Sequence, residues 1–297
     1  MPRAAAPVGG GLTSGSPLDP TTPGPRCCVG RPQGGDQVLI LLFRSARLSA
    51  AHPALSVSAT LVAAFAATAV QAQAPDRAAA GVGVAVVPAY QGSDETRVRA
   101  VPILDLKLGR FYANSADGAG LFILDSDRFR LGGGLSFVRG QADQDLPTGV
   151  EDLSNSAGAT LLARYAVGRT GFTLDATRAL GGAEGTTVEA RVSQVYRVNR
   201  RLVVIPSVAA TWADDKTMAG YFGIDEDESL VSGLKAFTPA AGMRDLAVAV
   251  SARYYLTRTL SLNGALGAST LLGDAADSPL TERRTAPFVL VGLSHAF

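Results

Sequence analysis

The chain is poor in the residues that build stapled or catalytic sites. Its 297 residues include two cysteines, two histidines, three methionines and one tryptophan. The cysteines, Cys27 and Cys28, are adjacent and lie near the N-terminus. They cannot cross-link the rest of the chain, they lack the spacing of a zinc site, and no Leu-rich lipobox precedes them. Beyond His52 the only histidine is His295, so a Ser-His-Asp site would have to rest on a residue in the last few positions. There is no HExxH, CxxC, Walker loop or nucleophile elbow. The formal charge of +1 gives no basis for binding nucleic acid. These shortages predict no catalytic residues, no metal, no cofactor and no enzyme activity. Long apolar runs are also missing: after residue 72 no segment approaches the roughly 18 apolar residues of a helical span. Yet 47% of the chain is hydrophobic, so its apolar side chains must be spread through short segments.

The N-terminal region has its own character. Residues 1–37 are rich in Pro, Gly, Ala and Thr without periodicity, and read as a disordered leader or as sequence upstream of the true start. Residues 38–72 read as a secretory signal peptide. Arg44 and Arg47 form a basic start, residues 54–70 an apolar stretch, and Val70-Gln71-Ala72 a small-residue cleavage site before Gln73. Residues 73–297 are then the exported protein.

From Gly81 onward the pattern has period two. In residues 128–138, Phe129, Leu131, Gly133, Leu135 and Phe137 share one face, opposite Arg128, Arg130, Gly132, Gly134 and Ser136. Alternation alone also fits a soluble sandwich with one wet face. Three features favour a transmembrane barrel. Short connections near 125–128, 168–170, 199–201 and 257–259 alternate with long polar ones at 141–153, 214–241 and 273–284. Phe129, Tyr165, Phe172, Tyr196, Tyr254 and Phe297 fall beside the short turns with the parity of the apolar face, as an interfacial girdle requires. The chain ends on Phe297, with Leu293, Val291 and Val289 on its face and His295 interrupting, which resembles the signal read by the bacterial barrel-assembly machinery. The expected fold is an all-β, antiparallel up-and-down transmembrane barrel of about 12 strands. The alternative is 10 strands, if the segments 110–115 and 117–125 do not both span. An even number puts both termini in the periplasm of a Gram-negative cell outer membrane.

The opposite face carries the candidate lumen residues Arg97, Arg99, Asp105, Arg128, Arg130, Arg164, Glu189, Arg191 and Arg253, with Lys107, Asp175, Arg197 and Asp245 of the same parity. Such charges either pair across strands and fill the barrel, or line a narrow passage for small polar solutes. Acidic pairs at Asp94/Glu95, Asp214/Asp215 and Asp274/Asp277 gather at the long-loop end. Turn-forming carboxylates explain them more simply than a bridging cation.

Four segments carry a family resemblance. They are Pro88-Ala89-Tyr90-Gln91-Gly92-Ser93-Asp94, Val101-Pro102-Ile103-Leu104-Asp105, Thr211-Trp212-Ala213-Asp214-Asp215 with Met218 and Tyr221-Phe222-Gly223, and Leu271-Leu272-Gly273-Asp274-Ala275-Ala276-Asp277-Ser278-Pro279. Together they resemble the MipA/OmpV family over the whole exported part. The resemblance implies an outer-membrane protein, surrounded by lipid and lipopolysaccharide, that serves as a scaffold for a murein hydrolase and a murein synthase. Porin-like and adhesin-like roles are the alternatives. It assigns no role to individual motif residues, so Tyr90, Gly92, Ser93, Trp212, Asp214, Asp215, Tyr221, Phe222, Gly223, Gly273, Asp274, Asp277, Ser278 and Pro279 stand as motif positions only.

Overall fold

The computed structural model describes residues 76–297. The leader, the signal segment 38–72 and the start at Gln73 lie outside the described residues. Twelve antiparallel strands follow one another: β1 (Arg77–Pro88), β2 (Thr96–Leu108), β3 (Phe111–Asn114), β4 (Gly118–Asp125), β5 (Phe129–Val138), β6 (Ser156–Val167), β7 (Thr170–Ala179), β8 (Thr186–Gln194, resuming at Tyr196–Arg197), β9 (Leu202–Ala213), β10 (Gly242–Tyr255), β11 (Leu260–Leu271) and β12 (Thr285–Ala296). Each pairs with its neighbours in sequence, and β12 returns to β1, from Ala79 opposite Ala296 to Val86 opposite Val289. The Phe297 amide completes this seam by donating to the Ala78 carbonyl at 2.9 Å. Closure has a physical cause. Each unpaired backbone group facing hydrocarbon costs several kcal/mol, and a closed ring leaves no edge.

Side chains alternate as the period-two pattern requires. Val82, Val84, Val98, Leu135, Leu161, Val248, Leu266 and Val291 are exposed on the outer face. Three irregularities interrupt the ladders, one of them the register shift of β9 against β10 between Thr211 and Trp212. In β4 the register shifts between Phe122 and Leu124, so Ile123 and Leu124 both face outward and Asp125 turns in. Without that bulge the carboxylate would stand in lipid. In β8 the ladder to β9 runs to Ser193 opposite Ser207 and resumes at Tyr196 opposite Val204. The same register puts Pro206 opposite the gap, and proline has no N–H to give the ladder.

The β3–β4 hairpin is the exception in length. Four residues of β3 rise about 14 Å, while the apolar band of such barrels is roughly 25 Å tall. The count is therefore twelve, but this hairpin turns part-way up the wall. Its tip is held by side chains: Asn114 Oδ1 accepts from the Ala116 and Asp117 amides at 2.9 and 2.7 Å. Ser115 Oγ accepts from the Leu104 amide at 2.7 Å and donates to the Pro102 carbonyl at 2.9 Å.

The outer end is not a set of polar loops, as the sequence pattern suggested. Residues 214–241 contain the helices α1 (Asp215–Phe222) and α2 (Glu226–Ser232), and α3 (Gly273–Asp277) follows β11. With the 89–95 and 139–155 segments they form a cap with its own apolar core. One cluster joins Ala213, Met218, Tyr221, Phe222, Leu271, Ala275 and Ala276. A second joins Ala89, Tyr90, Val150, Ile224 and Leu280. Period-two reasoning could not find this, because it depends on contacts between loops far apart in sequence.

Candidate functional site: the lumen and its cap

Low in the lumen a charged knot packs beside an aromatic cluster. Lys107 Nζ meets Asp125 at 2.7 Å, and both side chains are 1% exposed. Arg130 Nε adds a contact to Asp125 at 3.1 Å, and Lys107 also donates to the Gly109 carbonyl at 2.8 Å. Against this pack Tyr112 and Phe122, with ring centroids 4.7 Å apart, and the fully buried Leu162. A buried pair tolerates desolvation only when further partners compensate it, and here the Arg130 guanidinium faces the carboxylate and the Gly109 carbonyl faces the ammonium.

Above the knot lies a cavity of about 540 Å³. Arg164 reaches across to Asp117 at the hairpin tip, and Arg191 pairs with Glu189 at 2.6 Å. Asp175, Thr173, Thr187 and Arg244 also line it. A hydroxyl chain runs along its wall from Ser136 through Thr160 to Thr177, with both spacings 2.8 Å. The other sequence-derived lumen positions lie outside this cavity. Arg97 and Arg99 both bind Asp145 of the β5–β6 loop, at 3.1 and 2.9 Å. Asp105 pairs with Arg77 at 2.8 Å, and Arg253 donates to Asn263 at 3.0 Å. Arg128 is in the turn ahead of β5 and points to solvent. Asp117, Asp125 and Asp145, the acidic partners, escaped the sequence reading: two sit in connections, and the third needs the bulge to face inward.

The motif residues converge on the cap. Tyr90 Oη donates to the Leu280 carbonyl at 3.0 Å. Burial, aided by the nearby Glu282 and Asp94 carboxylates, pushes its phenol up to about 12. Gly92 has φ 104°, and a Cβ there would come within 2.9 Å of Thr281 Oγ1, so only glycine fits. Ser93 is buried and accepts from the Glu95 amide at 3.1 Å. Asp214 caps α1 by accepting from the Thr217 amide at 2.9 Å. Partial burial works to raise its carboxyl, but hydrogen bonds from Thr217 and Thr186 outweigh this and hold it below the usual carboxylate range. Tyr221 donates to the Arg139 carbonyl, and its burial raises its phenol. Phe222 is fully buried, and the Gly223 amide closes α1 onto the Ala219 carbonyl at 2.8 Å.

Gly273, at φ 52°, opens α3. Asp274 accepts from the Ala240 amide at 2.7 Å, and Asp277 pairs with Arg284 at 2.8 Å. Ser278 donates to the Phe222 carbonyl at 2.7 Å. Pro279 occupies the second position of the turn closed by the Thr281 amide on the Ser278 carbonyl at 2.9 Å, where proline's fixed φ suits it. Trp212 stands on the outer wall, and Asp215 is exposed on the first turn of α1. Among the described residues no group of three or more acidic, histidine or cysteine side chains is placed to hold a metal ion. Phe297 is exposed at the end of β12, and His295 sits beside it with ring centroids 5.0 Å apart.

A closed antiparallel barrel with an apolar outer face, a charged lumen and a structured cap over one mouth is an integral protein of the bacterial outer membrane. Within that class, residues 80–297 match the model for "MltA-interacting protein MipA", and the chain belongs to that family. No curated protein matches it. Solved structures that resemble it include the NanC porin (9% identity, 72% of this chain and 98% of that one, TM-score 0.40). Others are the outer-membrane channel DcaP of Acinetobacter baumannii (9% identity, 75% and 96%, TM-score 0.36) and a bacterial polysaccharide outer-membrane secretin (12% identity, 74% and 98%, TM-score 0.38).

Proposed function

We propose that the protein is a non-enzymatic anchor that holds a murein-processing enzyme, hydrolase or synthase, against the periplasmic rim of the barrel. The observation that carries this reading is the charge of that rim. The five short turns at 109–110, 126–128, 168–169, 198–201 and 256–259 each contain arginine: Arg110, Arg128, Arg169, Arg200 with Arg201, and Arg258. Asp127 is the one acid among them, and none of the six arginines is in an ion pair among the described residues. Between the last two turns, Arg200, Arg201 and Arg258 line a groove with Tyr255 and Leu256. A single tight turn offers little area to a partner, but a ring of them presents a charged platform. Charge complementarity of that kind speeds and orients docking. The family description, an MltA-interacting protein, supports the same partner class. In this reading membrane lipid and lipopolysaccharide surround the wall, and Phe297 is the residue that the barrel-assembly machinery recognises.

Detergent-solubilised protein should capture a lytic transglycosylase, with capture weakening as salt rises. The triple change Arg200→Glu, Arg201→Glu and Arg258→Glu should abolish it. Capture of no murein enzyme, or unchanged capture by the triple variant, overturns the proposal. The cavity favours a second reading, a narrow solute channel, whereas the cap and the Lys107–Asp125 knot oppose it. Planar-bilayer recording separates the two, and silence is the expected result. A surface-receptor role would use the exposed Leu230 and Val231 of α2, and deleting residues 226–232 without loss of surface binding would dispose of it.

A further inference from the structure

The short hairpin leaves a notch in the wall. β2 is bridged to β3 only from Asp105 to Leu108, with further hydrogen bonds linking Ser115 to Leu104 and to the Pro102 carbonyl. Above that point residues 96–103 pair with β1 on one side only, among the described residues. Leu104 directs its N–H and C=O at the hairpin, so by the same parity Ala100 and Val98 direct theirs into the notch, while the Pro102 carbonyl is taken by Ser115 Oγ. Pro102 has no N–H to leave orphaned, which is how proline is tolerated at a strand edge. On the far side, β4 reaches only Leu135 of β5, and Ser136 to Val138 lie beyond it. The top is spanned by the β5–β6 loop, whose Asp145 binds Arg97 and Arg99.

The lumen cavity reaches the wall at the notch. The cavity lining includes Ala116 at the hairpin tip and Phe137, whose side chain stands on the outer face and is 68% exposed. Inside, the walls are charged and rich in hydroxyls. Outside, the rim is apolar, formed by Val98, Leu104, Leu135 and Phe137. Bare hydrocarbon would strand the Ala100 and Val98 backbone groups, and water alone would waste the apolar rim. A molecule with a polar head and an acyl chain satisfies both. The ion pairs Arg164–Asp117 and Arg191–Glu189 present both signs of charge in the cavity, which suits a zwitterionic head.

We infer that this notch is a lateral portal through which a zwitterionic, acyl-chain amphiphile passes between the membrane and the lumen cavity. The site is separate from the periplasmic rim, so the anchoring role and the portal can fail independently.

The test uses bromine on an acyl chain, which quenches tryptophan only on contact. Trp212, the sole tryptophan, faces the membrane and serves as the reference. A lumen reporter is made by Thr173→Trp in a Trp212→Phe background, with Thr187→Trp as a second reporter should the first not fold. The barrel is placed in phosphatidylcholine vesicles and titrated with lysophosphatidylcholine brominated on its chain. The portal predicts quenching of the lumen reporter comparable to that of Trp212, and its loss when Ala116→Phe fills the notch while Trp212 quenching is unchanged. A lumen reporter that stays unquenched overturns the inference, as does quenching that Ala116→Phe leaves intact, since that would place entry at the capped mouth.

Discussion

At the periplasmic end the chain reverses in two to four residues; at the outer end the 214–241 connection alone uses twenty-eight and folds into helices. The charges divide the same way. The inner turns hold six arginines and one acid, while the outer connections at 89–95, 139–155, 180–185, 214–241 and 272–284 carry sixteen acidic and five basic side chains. The inner end takes its rigidity from the strands themselves, whose ladders run into each turn. The outer end has to be held by a second core, Phe222 and Met218 on one side and Tyr90 and Ile224 on the other. One end is a tight, basic rim, and the other keeps the mouth covered.

That contrast can be broken from either side. The largest effect is expected in the lower lumen. Asp125→Ala removes the carboxylate that faces the buried Lys107 ammonium, and losing one partner of a buried pair costs about 3–5 kcal/mol. Denaturant unfolding in micelles should show this, and Lys107→Met added to Asp125→Leu should recover much of it. Phe222→Ala removes the centre of the cap core, where such truncations cost roughly 3 kcal/mol or more. If the cap is a separate layer, proteolysis within 214–241 accelerates while the barrel keeps its heat-modifiable migration on gels. Global unfolding instead would show that cap and wall are one unit.

Smaller effects sharpen the comparison. Asp214→Ala deletes the α1 cap, costing about 1 kcal/mol, and should appear as faster amide exchange in α1 alone. The Tyr90 phenol has a folded pKa near 12, above its usual 10. Its contribution to stability is therefore whole below pH 10 and is lost as pH rises from 10 through 12. Cap exchange should quicken across that window, and Tyr90→Phe should remove that component.

Much of the wall was legible in the sequence because alternation leaves few choices. A strand such as Phe129–Val138 buries nothing unless its apolar face meets lipid, and the short turns fix which end is which. The candidate site was legible only in part. Arg164, Glu189 and Arg191 stand on strands and follow parity. Their counterpart Asp117 lies in a turn, and Asp125 reaches the lumen only because β4 carries a bulge. The motif positions Tyr90, Phe222 and Ser278 were visible as motifs, but not as neighbours.

The sequence by itself determined an exported chain whose strands alternate, closed with an even count and turned tightly on the periplasmic side. Period two and backbone hydrogen bonding are local properties that a single chain displays directly. Tertiary structure decided the rest: the hairpin that stops mid-wall, the notch above it, the charged knot below the cavity and the cap that draws four distant connections together. Each depends on which loop meets which, and that is settled by burial of apolar side chains between segments far apart along the chain, for which no local pattern exists.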